Sequence, residues 1–129
     1  MNEFLTLDAT DQIKALRQGA ISARKLLELS VQRADVADHL INAVITRDLP
    51  RAFAEADEID ARRARSESLG PLAGLPMTVK EHYDIEGFPS SFGGNARFLK
   101  RQVKDAAVIA RLRAAGAIIC VNRRAIFTP

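Results

Sequence analysis

The stretch PLAGLPMTVKEHYDIEG, Pro71 to Gly87, is the most informative part of the chain. Its first half is apolar and interrupted by glycine and proline, and LPMTV, residues 75 to 79, predicts a short buried strand. The strand runs directly into Lys80. A lysine at a strand end ordinarily extends its ammonium into water, whereas a buried amine can lose its proton and act as a base. The residues alone leave both interpretations open.

Helical and strand patterns precede this stretch. DATDQIKALRQ, residues 8 to 18, predicts a short helix that stops before a glycine. Ser22 is expected to cap a longer helix, because apolar residues recur behind it at spacings of three and four. INAVIT, residues 41 to 46, is β-branched and predicts a strand. Pro50 suits the first turn of the helix that follows it.

The pattern continues after Lys80. EHYDIEGFPSSFGGN, residues 81 to 95, is typical of a loop, and Asp105 is expected to cap a helix with the sequence AAVIARLRAA. AIICV, residues 117 to 121, predicts an inner strand that needs a neighbour on each side. The predicted order of helix, helix, strand, helix, strand, loop, helix and strand favours an α/β layered fold.

Composition excludes several classes of protein. The 129 residues are 47% hydrophobic and 27% charged, which is typical of a soluble globular domain. The net charge is +3, but the basic residues are scattered and lack interleaved aromatic residues, so no nucleic-acid partner is predicted. No apolar run reaches the length of a membrane span, and the first ten residues do not resemble a signal peptide, so a cytoplasmic location is expected.

Few side chains invite metal or thiol chemistry. Cys120 is the only cysteine and lies in an apolar run, which predicts a small buried side chain. His82 is expected to be solvated in its loop, and His39 lies in a predicted helix. Neither histidine has enough neighbouring ligands for a metal site. No cofactor and no metal are predicted.

The residues around Lys80 resemble the amidase signature family. Gly70 to Glu81 is similar to that family's Pro-Leu-x-Gly-x-Pro run, three apolar or small residues, and Lys-Asp. The similarity continues through Asp84 to Gly87, Pro89 to Gly93, and Asp105 to Ala117, and in all it covers about residues 6 to 120. Glu81 stands where the family has aspartate, and the family's Gly-Lys-Thr-Asn run after residue 119 is absent.

The resemblance implies a role for Lys80. In the family this lysine is the base of a Ser-cisSer-Lys triad: it takes a proton from one serine, which activates a second serine to attack an amide carbonyl. Both family serines lie downstream in a Gly/Ser-rich loop that is not present in these 129 residues. Thr78, Ser90 and Ser91 are the nearby hydroxyls, but Ser90 and Ser91 occupy the positions of paired threonines in the family and are predicted to serve the turn.

The resemblance also implies a fold and an organisation. The expected architecture is the N-terminal part of the amidase-signature α/β/α fold, with a mixed central sheet flanked by helices and incomplete in this chain. Residues 1 to 129 would form a single partial domain: N-terminal helices at about 6 to 66, the lysine-bearing strand and loop at about 70 to 104, and a helix and strand at about 105 to 121.

Two functions remain open on the sequence. The first is an amidase-type hydrolase of carbon–nitrogen amide bonds, present here as a fragment that is inactive alone and acts on a small-molecule amide once completed. The second is a non-catalytic remnant or interaction module. A truncated sheet exposes strand edges, which favours self-association or pairing with a C-terminal piece.

Overall fold

The structure is a computed structural model that describes residues 2–90 and 100–123, with the side chains of the last three residues left aside. A short 3-10 helix, Glu3–Leu5, comes first. The longer elements are, in chain order, α1 (Ala9–Arg17), α2 (Ala23–Ile41), β1 (Val44–Arg47), α3 (Leu49–Ala64), β2 (Pro76–Lys80), α4 (Ala107–Ala114) and β3 (Ile118–Arg123). The predicted order of helices and strands is confirmed.

Two helices begin at the side-chain caps that local sequence provides. Asp8 accepts a hydrogen bond from the Asp11 N–H at 2.9 Å, and α1 starts behind it. Ser22 accepts from the Lys25 N–H at 3.0 Å, so its predicted role as the cap of α2 is confirmed. Each cap satisfies a backbone donor that the first turn of a helix leaves without an intrahelical partner.

The end of α2 lies further along the chain than predicted. The helix includes Ile41, and β1 begins only at Val44, so the strand predicted over residues 41 to 46 is displaced. Asn42 stops the helix in the left-handed conformation, with φ at 45°. Asp38 then fixes the turn by accepting hydrogen bonds from the N–H groups of Ala43 at 2.7 Å and Val44 at 2.9 Å. The bond from Val44 is the main cause that lowers the pKa of Asp38.

The helix after β1 begins as predicted, whereas the last helix does not. Pro50 lies in the first turn of α3, where a missing N–H costs nothing. Asp105 does not cap α4, because the capping position is Ala106 and no side chain bonds to the first turn there. The prediction for Asp105 is therefore wrong, and its carboxylate has other partners, described below.

The sheet has the order β1-β3-β2. β3 pairs antiparallel with β1 and parallel with β2, so the sheet is mixed and β3 is its inner strand, as predicted. In the parallel pair, Pro76 lies opposite Ile118 and Lys80 opposite Arg123, with one irregularity between Met77 and Thr78. Among the described residues, β1 and β2 are the two edges of the sheet.

Alternation along β3 divides the core between the two faces of the sheet. Ile118 and Cys120 pack in a first cluster with α1, α2 and α3, whose innermost residues are Leu16, Ala23, Leu26, Leu27, Ala52 and Ala56. Ile119 points to the other face and joins a second cluster with Val79, Ile85, Phe88 and Ile109. Helices therefore cover both faces of the sheet, because successive side chains of a strand point in opposite directions.

The turn before β2 packs backbone to backbone against the end of α4. The Leu72 N–H donates to the Ala115 carbonyl at 2.8 Å, and the Gly74 N–H donates to the Gly116 carbonyl at 3.0 Å. Gly116 has φ at 95°, and a Cβ there would lie 2.6 Å from the Cα of Ala73. Glycine is required at this position because the left-handed backbone and the close approach both exclude a side chain.

No helix within residues 2–90 and 100–123 combines the length and the hydropathy needed to cross a bilayer.

Candidate functional site

Lys80 is the last residue of β2. Thr78 and Lys80 are exposed, and Val79 between them is buried, as the alternation along a strand requires. Val79 points into the second cluster, so Lys80 projects from the opposite face of the sheet. The structure thus places the amine on a surface that the described residues leave uncovered, and the ordinary interpretation of a lysine at a strand end holds for this part of the chain.

The nearby hydroxyls do not form a catalytic pair in the described residues. The Ser90 Oγ donates to the Asp84 Oδ1 at 2.9 Å, which agrees with the prediction of a role in the turn. Thr78 stands exposed on the strand, and Ser91 lies outside the described residues. The serine partners that the family resemblance implies for Lys80 are therefore not found among residues 2–90 and 100–123.

The loop after Lys80 is held closely to the segment that precedes α4. Its two apolar anchors, Ile85 and Phe88, are almost fully buried in the second cluster. The Gly87 N–H donates to the Gln102 carbonyl at 2.9 Å, and the Gln102 N–H donates to the Phe88 carbonyl at 3.0 Å. These contacts order the loop from Asp84 to Phe88 and so hold fixed the chain that leaves the strand of Lys80.

Two side chains beside Lys80 are more buried than the sequence indicated. Glu81 is 1% exposed, although a glutamate at the start of a polar loop is expected to be solvated. His82 is half-buried, so the prediction of a solvated histidine is wrong. Hydrophobic patterning gave no signal for either, because the turn after β2 interrupts the alternation that assigns faces.

A set of charged residues that lie far apart in the sequence meets beside this loop. The Asp105 Oδ1 accepts from the Glu86 N–H at 2.8 Å, and its Oδ2 accepts from the Arg113 Nε at 3.0 Å. The Arg113 Nη1 donates to the Glu55 Oε1 at 3.1 Å, across 58 residues of sequence. Such long-range pairs have no periodicity, so the only available signal was the high charge density of α3 and α4.

Three other features of the described residues are candidate sites: a groove, the histidine on α2 and the cysteine. A groove of about 530 Å³ between α3 and the end of α4 is lined by Glu55, Ile59 and Arg113 among others, and Lys80 is not part of its wall. His39 lies exposed on α2 beside Asp35 and Asp38, but residues 2–90 and 100–123 contain no group of three side chains that could hold a metal ion. Cys120 is 5% exposed, which confirms its predicted burial.

Comparison with known proteins agrees with this architecture. The family model described as Amidase matches residues 25–123, a segment that contains Lys80 and most of the elements above. AtzE, a subunit of the 1-carboxybiuret hydrolase of Pseudomonas sp. (strain ADP), is 45% identical over 108 residues, which are 83% of this chain and 24% of that protein. A glutamyl-tRNA(Gln) amidotransferase subunit of Salinispora arenicola (strain CNS-205) is 32% identical over 119 residues, which are 92% of this chain and 24% of that protein.

A solved structure shows the same fold. A chain from an "unexpected vestigial protein complex" that "reveals the evolutionary origins of an s-triazine catabolic enzyme" superposes with a TM-score of 0.86 at 42% identity. The match covers 91% of this chain and 26% of that one, so the chain spans about a quarter of the length of the relatives it matches. Since the family model covers most of the 129 residues and the fold agrees, the chain belongs to the amidase signature family.

Proposed function

We propose that residues 1 to 129 form a single partial amidase-signature domain in which Lys80 is the base of a hydrolase that cleaves carbon–nitrogen amide bonds. The observation that carries the proposal is the position of Lys80: it ends a β-strand inside the segment that the family model matches, and its side chain is exposed at that end of the sheet. The matched segment supplies the base, and a further segment would supply the two serines.

The chemistry follows from the family resemblance. The Lys80 amine would accept a proton from one serine hydroxyl, and that serine would accept the proton of a second serine whose oxygen attacks the amide carbonyl. The attack breaks the carbonyl π bond. The C–N bond then breaks as the leaving amine takes up the proton held by the serine–lysine pair, which leaves an acyl-enzyme, and water hydrolyses its ester to release the carboxylate and restore the serine. Backbone N–H groups of the loop that carries the serines would stabilise the negative oxygen.

The exposure of Lys80 explains why this part of the protein is proposed to be inactive alone. An amine serves as a base only in its neutral form, and removal from water is what favours that form. The described residues leave Lys80 exposed, so the part of the protein that supplies the serines must also cover the amine. The lysine base, the segment that shields it from water and the serine nucleophile then act as a unit, and none of them is sufficient for amide hydrolysis by itself.

The experiment that tests the proposal begins with the coding DNA read in all three frames beyond codon 129. If a Gly/Ser-rich segment follows, the continuous protein is expressed and ammonia or amine release is measured on a panel of small aliphatic and aromatic amides. Lys80→Ala is expected to abolish turnover, whereas Lys104→Ala, which removes another exposed lysine, is expected to leave it unchanged. Turnover that survives in Lys80→Ala would refute the assignment.

A second function has its own support. Val36, Leu40 and Ile41 at the end of α2 are 75%, 87% and 66% exposed, and both edges of the described sheet lack a neighbouring strand. Such surfaces favour association with another chain. Two relatives are named as subunits, which is in keeping with a chain that pairs, here with a C-terminal piece or with itself, in the cytoplasm. A single monomeric species in sedimentation, with a cooperative thermal transition, would contradict this alternative.

A further inference from the structure

Four charged side chains form a closed ring through the backbone N–H and carbonyl of one residue, Glu86, in the loop after Lys80. The Arg51 Nε donates to the Glu55 Oε1 at 3.1 Å, and the Arg113 Nη1 donates to the same oxygen at 3.1 Å. The Arg113 Nε donates to Asp105, and Asp105 accepts from the N–H of Glu86. The Arg51 Nη1 closes the ring on the carbonyl of Glu86 at 3.4 Å, its longest link.

The ring is balanced in charge and largely shielded from solvent. Two guanidinium groups face two carboxylates, so no net charge is enclosed. The side chains of Asp105 and Arg113 are 12% and 14% exposed, and those of Arg51 and Glu55 about one third. Partly buried pairs of this kind are screened less by water and salt than surface pairs, and charge-assisted hydrogen bonds are the stronger class.

The ring joins α3, α4 and the loop after Lys80, and it adds to the backbone hydrogen bond from the Ala106 N–H, at the start of α4, to the Asp84 carbonyl at 2.8 Å. Arg51 and Glu55 belong to α3, and Arg113 belongs to α4. Glu86 is six residues beyond Lys80 and follows Ile85, which packs in the same cluster as Val79. A displacement of the Glu86 backbone would therefore move Ile85 against Val79, the residue that immediately precedes Lys80.

We propose that this ring positions the strand end that carries Lys80, with Asp105 as the positioning residue that couples the loop to α4. The inference rests on the proposed role of Lys80. Asp105 does not touch the reacting groups. It acts through the Glu86 N–H, and its two oxygens have different partners: Oδ1 holds the loop and Oδ2 holds Arg113.

The first test exploits a ring residue that does not contact the loop. Glu55→Gln weakens the links to both arginines without touching Glu86. In the full chain, amide hydrogen exchange followed by NMR is expected to become about tenfold faster at Glu86, because Arg51 and Arg113 then hold the Glu86 carbonyl and Asp105 less firmly. The amides of Leu26 and Leu27, in the first cluster, are expected to exchange at unchanged rates.

The matched control is Asp57→Asn. Asp57 also lies on α3, but its ion pair is with Arg24 of α2 and is not part of the ring. The variant is expected to leave the Glu86 amide unchanged. An unchanged Glu86 amide in Glu55→Gln would overturn the proposal. Equal acceleration at Glu86, Leu26 and Leu27 would overturn it as well, because the ring would then stabilise the whole fold rather than position one loop.

The second test measures the strand end itself. In Asp105→Asn the side-chain carbon and proton resonances at the ε position of Lys80 are expected to shift, and Asp105→Glu is expected to return them part of the way. Resonances that stay in place in Asp105→Asn would refute a positioning role. Neither test involves turnover, so a failure here is distinct from a failure of Lys80→Ala to abolish amide hydrolysis.

Discussion

The carboxylate of Asp60, on α3, caps the N-terminus of α2 by accepting the backbone N–H of Ala23 at 2.8 Å. Its other oxygen accepts the next N–H, that of Arg24, at 3.0 Å. The Ser22 side chain accepts the N–H of Lys25. The three backbone donors of the first turn of α2 are therefore satisfied by one local residue and one distant residue. The acidic group also lies at the positive end of the helix dipole.

We predict that Asp60→Ala lowers the free energy of unfolding by about 1–2 kcal/mol, the usual effect of losing a helix cap whose donors are partly buried. Urea unfolding followed by circular dichroism measures it. Asp57→Ala is the control: Asp57 lies one turn earlier on α3, pairs with the Arg24 side chain, and is 58% exposed. Its expected loss is below about 1 kcal/mol. Equal losses in the two variants would show that the hydrogen bonds from Asp60 to the N-terminus of α2 stabilise the fold no more than a surface ion pair does.

Gly116→Ala is predicted to destabilise the fold by about 2–4 kcal/mol. The left-handed backbone contributes about 1–2 kcal/mol, and the Cβ that would lie 2.6 Å from the Cα of Ala73 adds overpacking. Gly19→Ala separates the two effects, because Gly19 has φ at 70° but no atom within 4 Å of a Cβ. Its expected loss is about 1–2 kcal/mol in the same urea measurement. A loss in Gly116→Ala no larger than in Gly19→Ala would contradict the tight backbone contact.

Phe88→Ala is predicted to cost about 3–5 kcal/mol, since Phe88 is 1% exposed and anchors the loop in the second cluster. Phe88→Leu, which keeps most of the volume, is expected to cost less than half as much. Tyr83→Ala removes an aromatic ring from the same loop, but Tyr83 is 47% exposed and its expected effect is within about 0.5 kcal/mol. The thermal midpoints of the three variants rank these effects, and a different order would show that the loop is not held by Phe88.

Asp38 is predicted to make stability fall in acid. The Val44 N–H, followed by that of Ala43, lowers the pKa of Asp38 below its ordinary value of 3.8. Because the folded pKa lies below the unfolded one, the contribution is complete above the unfolded pKa. It is lost as the pH falls through the folded value. The difference in stability between the natural chain and Asp38→Asn is therefore expected to be constant near neutral pH and to shrink at pH below about 4. A difference that does not change with pH would exclude a role for the charge.

Local patterns predicted the elements, a local turn at Asn42 displaced the end of α2, and long-range contacts account for the error at Asp105. Ser22 caps α2 because its partner is three residues away and visible in the sequence. Asp105 fails to cap α4 because Arg113 and the Glu86 N–H compete for its oxygens, and only the tertiary fold brings Glu86 there. The same reason hid the ring: Glu55 and Arg113 are 58 residues apart, and no periodicity links them. Lys80, by contrast, can be proposed as a site residue from sequence because the family motif lies in continuous sequence.

The inner position of β3 determines when the sheet can form. β1 ends at residue 47 and β2 at residue 80, and the two strands do not pair with each other. Each of them pairs with β3, residues 118 to 123. During synthesis, at about 5–20 residues per second, both strands emerge several seconds before their common partner. Until then the backbone N–H and C=O groups of both strands lack their partners in the sheet. The residues of α1, α2 and α3, by contrast, have all been synthesised by residue 64. Neither pairing of the sheet can therefore form before the last of the three strands has been synthesised.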